Sequence, residues 1–171
     1  MALNIEQWLS PISPEAPCGA DLSFSSEFDR LRELRREDDP TLDQGEWVST
    51  LKKADWPGVQ ALCEEVLSLR SKDLRVAGWW TESALRQRGL GGLADGLERY
   101  AALLGAHWAG LHPLADDGDQ EPRIGAIEWL MNLVQGSVRR VVLLRDGDAR
   151  YTQVEIEAAR LRGADDGQHP N

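Results

Sequence analysis

Residues 71–111 read SKDLRVAGWWTESALRQRGLGGLADGLERYAALLGAHWAGL, and the spacing of their apolar side chains decides the fold class. In the first part Leu74, Val76, Ala77, Trp79, Trp80, Ala84 and Leu85 leave hardly any face polar, as in a helix placed centrally among others. Ser71 is positioned to cap its start, with Lys72 and Asp73 in a solvated first turn. Gly89 is its natural stop. Beyond it Leu90, Leu93, Ala94, Leu97, Ala101, Leu104, Trp108 and Leu111 step by three and four residues, which predicts a second helix ended by Pro113.

Working outward toward the N-terminus, Asp55 before Trp56 and Pro57 marks a helix start, because the carboxylate accepts from free amides and proline has none to satisfy. Val59, Leu62, Cys63 and Val66 form its buried stripe. Upstream, Ser25 and Ser26 can cap a helix with Glu27 and Asp29 in its first turn. Phe28, Leu31 and Leu34 then recur at helical spacing to about Arg36. Residues 37–50 lack periodicity and read as the longest loop, with Trp47 its one large apolar anchor. Pro11, Pro14, Pro17 and Gly19 predict an ordered loop after one short turn at 5–9.

Toward the C-terminus, an acidic loop at 116–121 leads through Pro122 into a helix with Ile124, Ile127, Leu130, Met131 and Val134 on one face. From Ser137 the character changes. Val138 and the run Val141, Val142, Leu143, Leu144 are β-prone, and Asp146 with Gly147 supplies turn chemistry before residues 149–151, so a small β-hairpin is predicted. Thr152 and Glu155 make a capping box for a last helix through Val154, Ala158 and Leu161. The fold class is therefore all-α, an antiparallel helical bundle with a small β-hairpin near its C-terminal end. One domain is expected over residues 1–162, with 163–171 a polar tail or the start of a linker.

Composition narrows the function classes. The 171 residues are 42% hydrophobic, enough for one well-buried core, and 29 acidic against 19 basic residues give a net charge of −10. A chain this acidic has no global attraction to nucleic acid or anionic lipid. The N-terminus lacks a signal-peptide pattern and no apolar run reaches bilayer-spanning length, which predicts a cytoplasmic protein without membrane insertion. Two cysteines, Cys18 and Cys63, give neither a disulfide framework nor metal-ligand spacing.

The residues offer little catalytic chemistry. Gly89, Gly91 and Ala94 satisfy only the loosest dinucleotide fingerprint, and a helix rather than a strand precedes them, so they read as a junction between helices. Asp116, Asp117, Asp119 and Glu121 lack the spacing of a calcium loop and read as a solvated turn. His107 and His112 are five apart, off the spacing that puts two ligands on one helix face, and His169 lies in the tail. No catalytic residue, cofactor or metal ligand is assigned. The seven tryptophans divide into Trp79, Trp80, Trp108 and Trp129, expected in the core, and Trp8, Trp47 and Trp56 at helix ends or loops. Those three pin their segments or face a partner, and they are the candidate partner-binding residues.

Residues 11–22 (PISPEAPCGADL), 70–80 (RSKDLRVAGWW), Leu111-His112-Pro113 with Gly118-Asp119, and Ile127-Glu128-Trp129-Leu130 resemble the ImpA-related N-terminal domain of TssA proteins. The similarity runs in order from about residue 11 to 159. The resemblance implies a component of the bacterial type VI secretion system, a contractile injection machine, that helps assemble baseplate, inner tube and sheath without catalysis. It implies partners among the baseplate, tube or sheath proteins and a ring-like homo-oligomer in the full-length protein, built by a C-terminal part. This chain is either a fragment cut at a domain boundary or a short family member; the fragment is the favoured expectation, and it is expected to be monomeric by itself. The competing readings are an enzyme acting on a small molecule or peptidoglycan fragment, and a regulatory adaptor outside secretion.

Overall fold

In a computed structural model the described residues are 5–38, 51–115, 117–139, 142–146 and 149–165. The elements are α1 (Ile5–Leu9), α2 (Ser26–Arg35), α3 (Trp56–Leu69), α4 (Leu74–His107), α5 (Glu121–Val138), β1 (Val142–Asp146), β2 (Ala149–Thr152) and α6 (Gln153–Asp165). The fold is all-α with one small hairpin, as the periodicities predict. By packing, the chain divides into two compact units, Met1–Ile127 and Glu128–Asn171.

In the first unit, local sequence sets the helix starts. Ser25 Oγ accepts from Phe28 N to begin α2, and Asp55 accepts from Gly58 N to begin α3 with Pro57 in its first turn. Val59, Leu62, Cys63, Val66 and Leu67 of α3 are buried, along with Phe28 and Leu31 of α2. They pack with the first part of α4, where Leu74, Val76, Ala77, Trp80, Ala84 and Leu85 are buried in turn. Trp8 of α1 meets Trp80 edge-to-face at 5.2 Å, and the Arg99 guanidinium lies over both rings.

Helix α4 breaks at Gly89, whose φ of 64° and ψ of −144° suit glycine alone, into arms at 74–88 and 90–107. The arms fold back on one another. A Cβ at Gly92 would lie 2.0 Å from Ala84 O, and one at Gly96 would lie 2.6 Å from Thr81 Cγ2, so each step forward on the second arm meets a step backward on the first. This hairpin corrects the face read from the sequence. The buried stripe of the second arm is Gly92, Leu93, Gly96, Arg99, Tyr100 and Leu103, whereas Leu90, Ala94 and Ala101 are exposed and Leu97 and Leu104 half-buried. Close approach of the arms selects glycine on the contact face and turns part of the leucine stripe outward. The helix also ends at His107, earlier than the spacing predicts, leaving Trp108 45% exposed rather than in the core.

The start of α4 brings a second correction. Asp73, not Ser71, is the N-cap and accepts from Arg75 N at 2.8 Å, and Ser71, Lys72 and Asp73 are all fully buried rather than solvated.

In the second unit, β1 and β2 pair antiparallel, with Leu144 opposite Tyr151, Arg145 opposite Arg150 and Asp146 opposite Ala149, and a register shift between Val142 and Leu144. Thr152 and Glu155 form the capping box reciprocally, Thr152 N donating to Glu155 Oε2 at 2.7 Å and Glu155 N to Thr152 Oγ1 at 3.3 Å. Helix α5 runs through Val138, so the β-prone character begins later than Ser137. Of the face predicted for α5, Leu130 is fully buried whereas Ile124 and Met131 are exposed; Trp129 is half-buried, and Val154 and Leu161 of α6 are exposed. Helices with one wet side leave part of an apolar stripe uncovered.

Candidate functional site

Three stretches far apart in sequence meet at the start of α4: the loop at 11–22, residues 70–74, and residues 111–113. Main-chain hydrogen bonds lace them together. Lys72 N donates to Cys18 O at 2.8 Å, His112 N to Lys72 O at 2.9 Å, and Leu74 N to His112 O at 2.9 Å. Bridges of β type join Gly19 to Ser71 and Asp73 to His112. The middle segment is thus the central strand of a miniature ladder, which accounts for the burial of Lys72 and Asp73.

Each buried charge in this junction has a structural task. Lys72 Nζ donates to Leu67 O at 2.6 Å in the last turn of α3 and to Gln7 O at 3.3 Å in α1. One ammonium thereby satisfies carbonyls that two helix ends leave without intrahelical partners. Burial pushes that ammonium down to about 8. Asp73 accepts from the Arg75 guanidinium at 2.6 and 3.0 Å, and Arg75 also reaches Ser23 Oγ at 2.9 Å. Arg123, almost fully buried, donates to Pro113 O and Leu111 O, both at 2.9 Å, and its guanidinium lies 4.8 Å from the Trp108 ring centre.

His107 and His112 bind main chain, and His169 lies outside the described residues. His107 Nε2 lies 3.0 Å from Leu9 O and His112 Nε2 lies 3.1 Å from Gly19 O; a carbonyl only accepts, so both nitrogens donate. Cys18 and Cys63 are buried free thiols. Burial pushes the Cys18 thiol up, against the opposing pull of Lys72 and Arg123, so the geometry does not generate a thiolate nucleophile. Asp119 Oδ1 accepts from Glu121 N at 2.9 Å and so helps to start α5.

Beside the junction opens a cleft of about 540 Å³, lined by Ala16, Pro17, Cys18 and Gly19 from the loop and by Ala106, His107, Ala109, Gly110, His112 and Leu114. Sequence reasoning missed it, because no spacing rule brings a loop at 16–19 against the far end of α4. Of the candidate partner-binding residues, Trp8 is fully buried in the core. Trp56 is half-buried beneath the Arg86 guanidinium, 5.3 Å from the ring centre, with its carbonyl accepting from Ser83 Oγ. Trp47 lies outside the described residues.

The family described as "ImpA, N-terminal, type VI secretion system" matches residues 9–132, a span that contains all three stretches of the junction. The chain belongs to this family. The chain is 39% identical over 132 residues to type VI secretion system component TssA1 of Pseudomonas aeruginosa, a match covering 75% of this chain and 38% of that relative. A solved structure of the N-terminal domain including the conserved ImpA_N region of the TssA component of the type VI secretion system from Burkholderia cenocepacia superposes with a TM-score of 0.83. Sequence identity there is 33%, over 99% of this chain and 63% of that one. The chain thus spans well under half the length of TssA1 and less than two thirds of the solved chain. Among the described residues, no helix is long and apolar enough to cross a membrane.

Proposed function

We propose that the chain is a non-catalytic docking domain of a TssA-like component, acting in the cytoplasm to bind baseplate, tube or sheath proteins during assembly of the type VI secretion machine. The observation that carries this reading is the likeness to a TssA N-terminal domain over 99% of the chain at 33% identity. The junction supports a structural role, since Lys72, Asp73, Arg75 and Arg123 hold main chain and one another instead of converging on an open site. In the longer protein a ring of copies would multiply a modest single-domain affinity by roughly 10² to 10⁴ through avidity. The 171-residue chain is monomeric in this reading, its net charge of −10 adding mutual repulsion.

The test is a binding titration of the purified chain, and of the longer protein that contains it, against purified baseplate, tube and sheath proteins, with light scattering on the chain alone. Binding of a secretion protein by both, weaker for the single domain, supports docking. No binding of any component by the longer protein removes it, and a stable ring formed by the 171 residues overturns the monomeric reading.

A further inference from the structure

We propose that the cleft between the 16–19 loop and the end of α4 receives an apolar side chain of a partner segment that carries lysine or arginine on either side of that anchor. The inference rests on the docking reading and names the chemistry of the docked segment.

The floor argues for an apolar anchor. Ala16, Pro17, Gly19, Ala106, Ala109 and Gly110 are small, so the depression is empty of protein side chains at a volume that admits a leucine or phenylalanine. No carboxylate, ammonium or guanidinium lines it among the described residues. Lys72 and Arg123 donate to main-chain carbonyls beneath the surface, so neither lines the cleft or turns a donor into it. The apolar surface continues past the rim. Leu114, which lines the cleft, is 52% exposed, and Trp108, between the lining residues His107 and Ala109 in sequence, is 45% exposed, its indole under the Arg123 guanidinium that binds Leu111 O and Pro113 O. Exposed apolar side chains gathered around a depression mark an interaction surface more than scattered ones do.

The rim argues for cationic flanks. Glu15 is exposed immediately before the Ala16-Pro17 wall, and on the other side Leu114 leads into a segment, 115–121, that holds four acids and no base. Asp117, Asp119 and Glu121 within it are exposed. Exposed acids in the stretches that run into the two walls, Glu15 before Ala16 and Asp117, Asp119 and Glu121 after Leu114, favour a segment whose charges are positive and disfavour one whose charges are negative. Neither half suffices alone. The acids without the cleft are a solvated turn, and the cleft without the acids would not discriminate between partners.

The test uses the whole 171-residue chain and two synthetic peptides that share a Leu-Phe anchor, one flanked by lysines and one by glutamates, titrated while tryptophan fluorescence and calorimetric heat are followed. The lysine peptide is expected to bind at least about tenfold more tightly, and to weaken as salt rises. Ala109→Trp and Ala106→Trp, both at exposed positions, fill the cleft and should abolish binding with unaltered thermal melts. Glu15→Gln with Asp117→Asn and Glu121→Gln should bring the two peptides to similar affinity. Equal binding of both peptides to the unmodified chain, no binding of the lysine peptide, or undiminished binding to both cleft-filled variants overturns the proposal. If a secretion component binds the unmodified and Ala109→Trp chains equally, the cleft is refuted while docking stands. If no component binds, docking is refuted and the peptide titration still judges the cleft.

Discussion

Two neighbouring glycines should respond to the same substitution with opposite signs. By helix propensity alone, Gly91→Ala and Gly92→Ala are each expected to stabilise the second arm of α4, by up to about 1 kcal/mol. At Gly91 nothing lies within 4 Å of the added Cβ, so that gain should survive. At Gly92 the Cβ would sit 2.0 Å from Ala84 O and 2.5 Å from Ala84 C, both main-chain atoms that cannot rotate aside. Relief requires the arms to part by more than about 1 Å, and a gap of that size forfeits a quarter to a half of the dispersion attraction across the contact. The separation would loosen Leu93, Tyr100 and Leu103, all buried on the same stripe. Overpacking of this kind costs about 1–3 kcal/mol, so after the propensity gain Gly92→Ala should lose up to about 2 kcal/mol, a fall of up to roughly 8 °C in Tm for a chain of this length. Urea unfolding of the two variants and the unmodified chain, with similar m-values, measures the difference. A Gly92→Ala protein as stable as Gly91→Ala would refute the folding of α4 back upon itself at Gly89.

Further expectations follow from the junction and core. Asp73→Ala should cost about 2 kcal/mol, because it removes an N-cap and leaves Arg75 without its closest carboxylate, whereas Ser71→Ala should change stability little, since Ser71 Oγ is buried without a hydrogen-bond partner; thermal melts separate the two. Leu74→Asp places an unpaired carboxylate at a fully buried position and should give an unfolded or aggregated product, visible in the circular dichroism spectrum and by size-exclusion chromatography. For Lys72 the folded ammonium titrates near 8 and the unfolded one near 10.5, so the unfolded state binds more protons between those values and this group makes stability rise with pH across that window. The buried thiols and Tyr100, whose pKa values burial raises, act oppositely, so the quantity to measure is the stability of the unmodified chain minus that of Lys72→Met. That difference should move in favour of the unmodified chain from pH 8 to 10.5; a flat difference would show that the carbonyls of Leu67 and Gln7 offset the burial.

Sequence by itself determined where α2, α3 and α6 start and what kind of fold the helices build. Ser25, Asp55 and the Thr152–Glu155 pair cap the elements they were expected to cap, and the α3 stripe is the buried one, because capping and periodicity involve residues within a turn or two of each other. The tertiary structure decided which face of an arm is inside and which polar residues are covered. The second arm of α4 is dense in leucine and alanine, yet its contact face is set by glycines that let the first arm approach, a choice no single-helix period reveals. Lys72 and Asp73 look solvated when read beside Ser71, and become buried only because the 16–19 loop and His112 close over them by hydrogen bonds from distant parts of the chain. The cleft has the same origin: its walls are small, unremarkable residues in sequence, and only the ladder through Cys18, Lys72 and His112 sets them face to face.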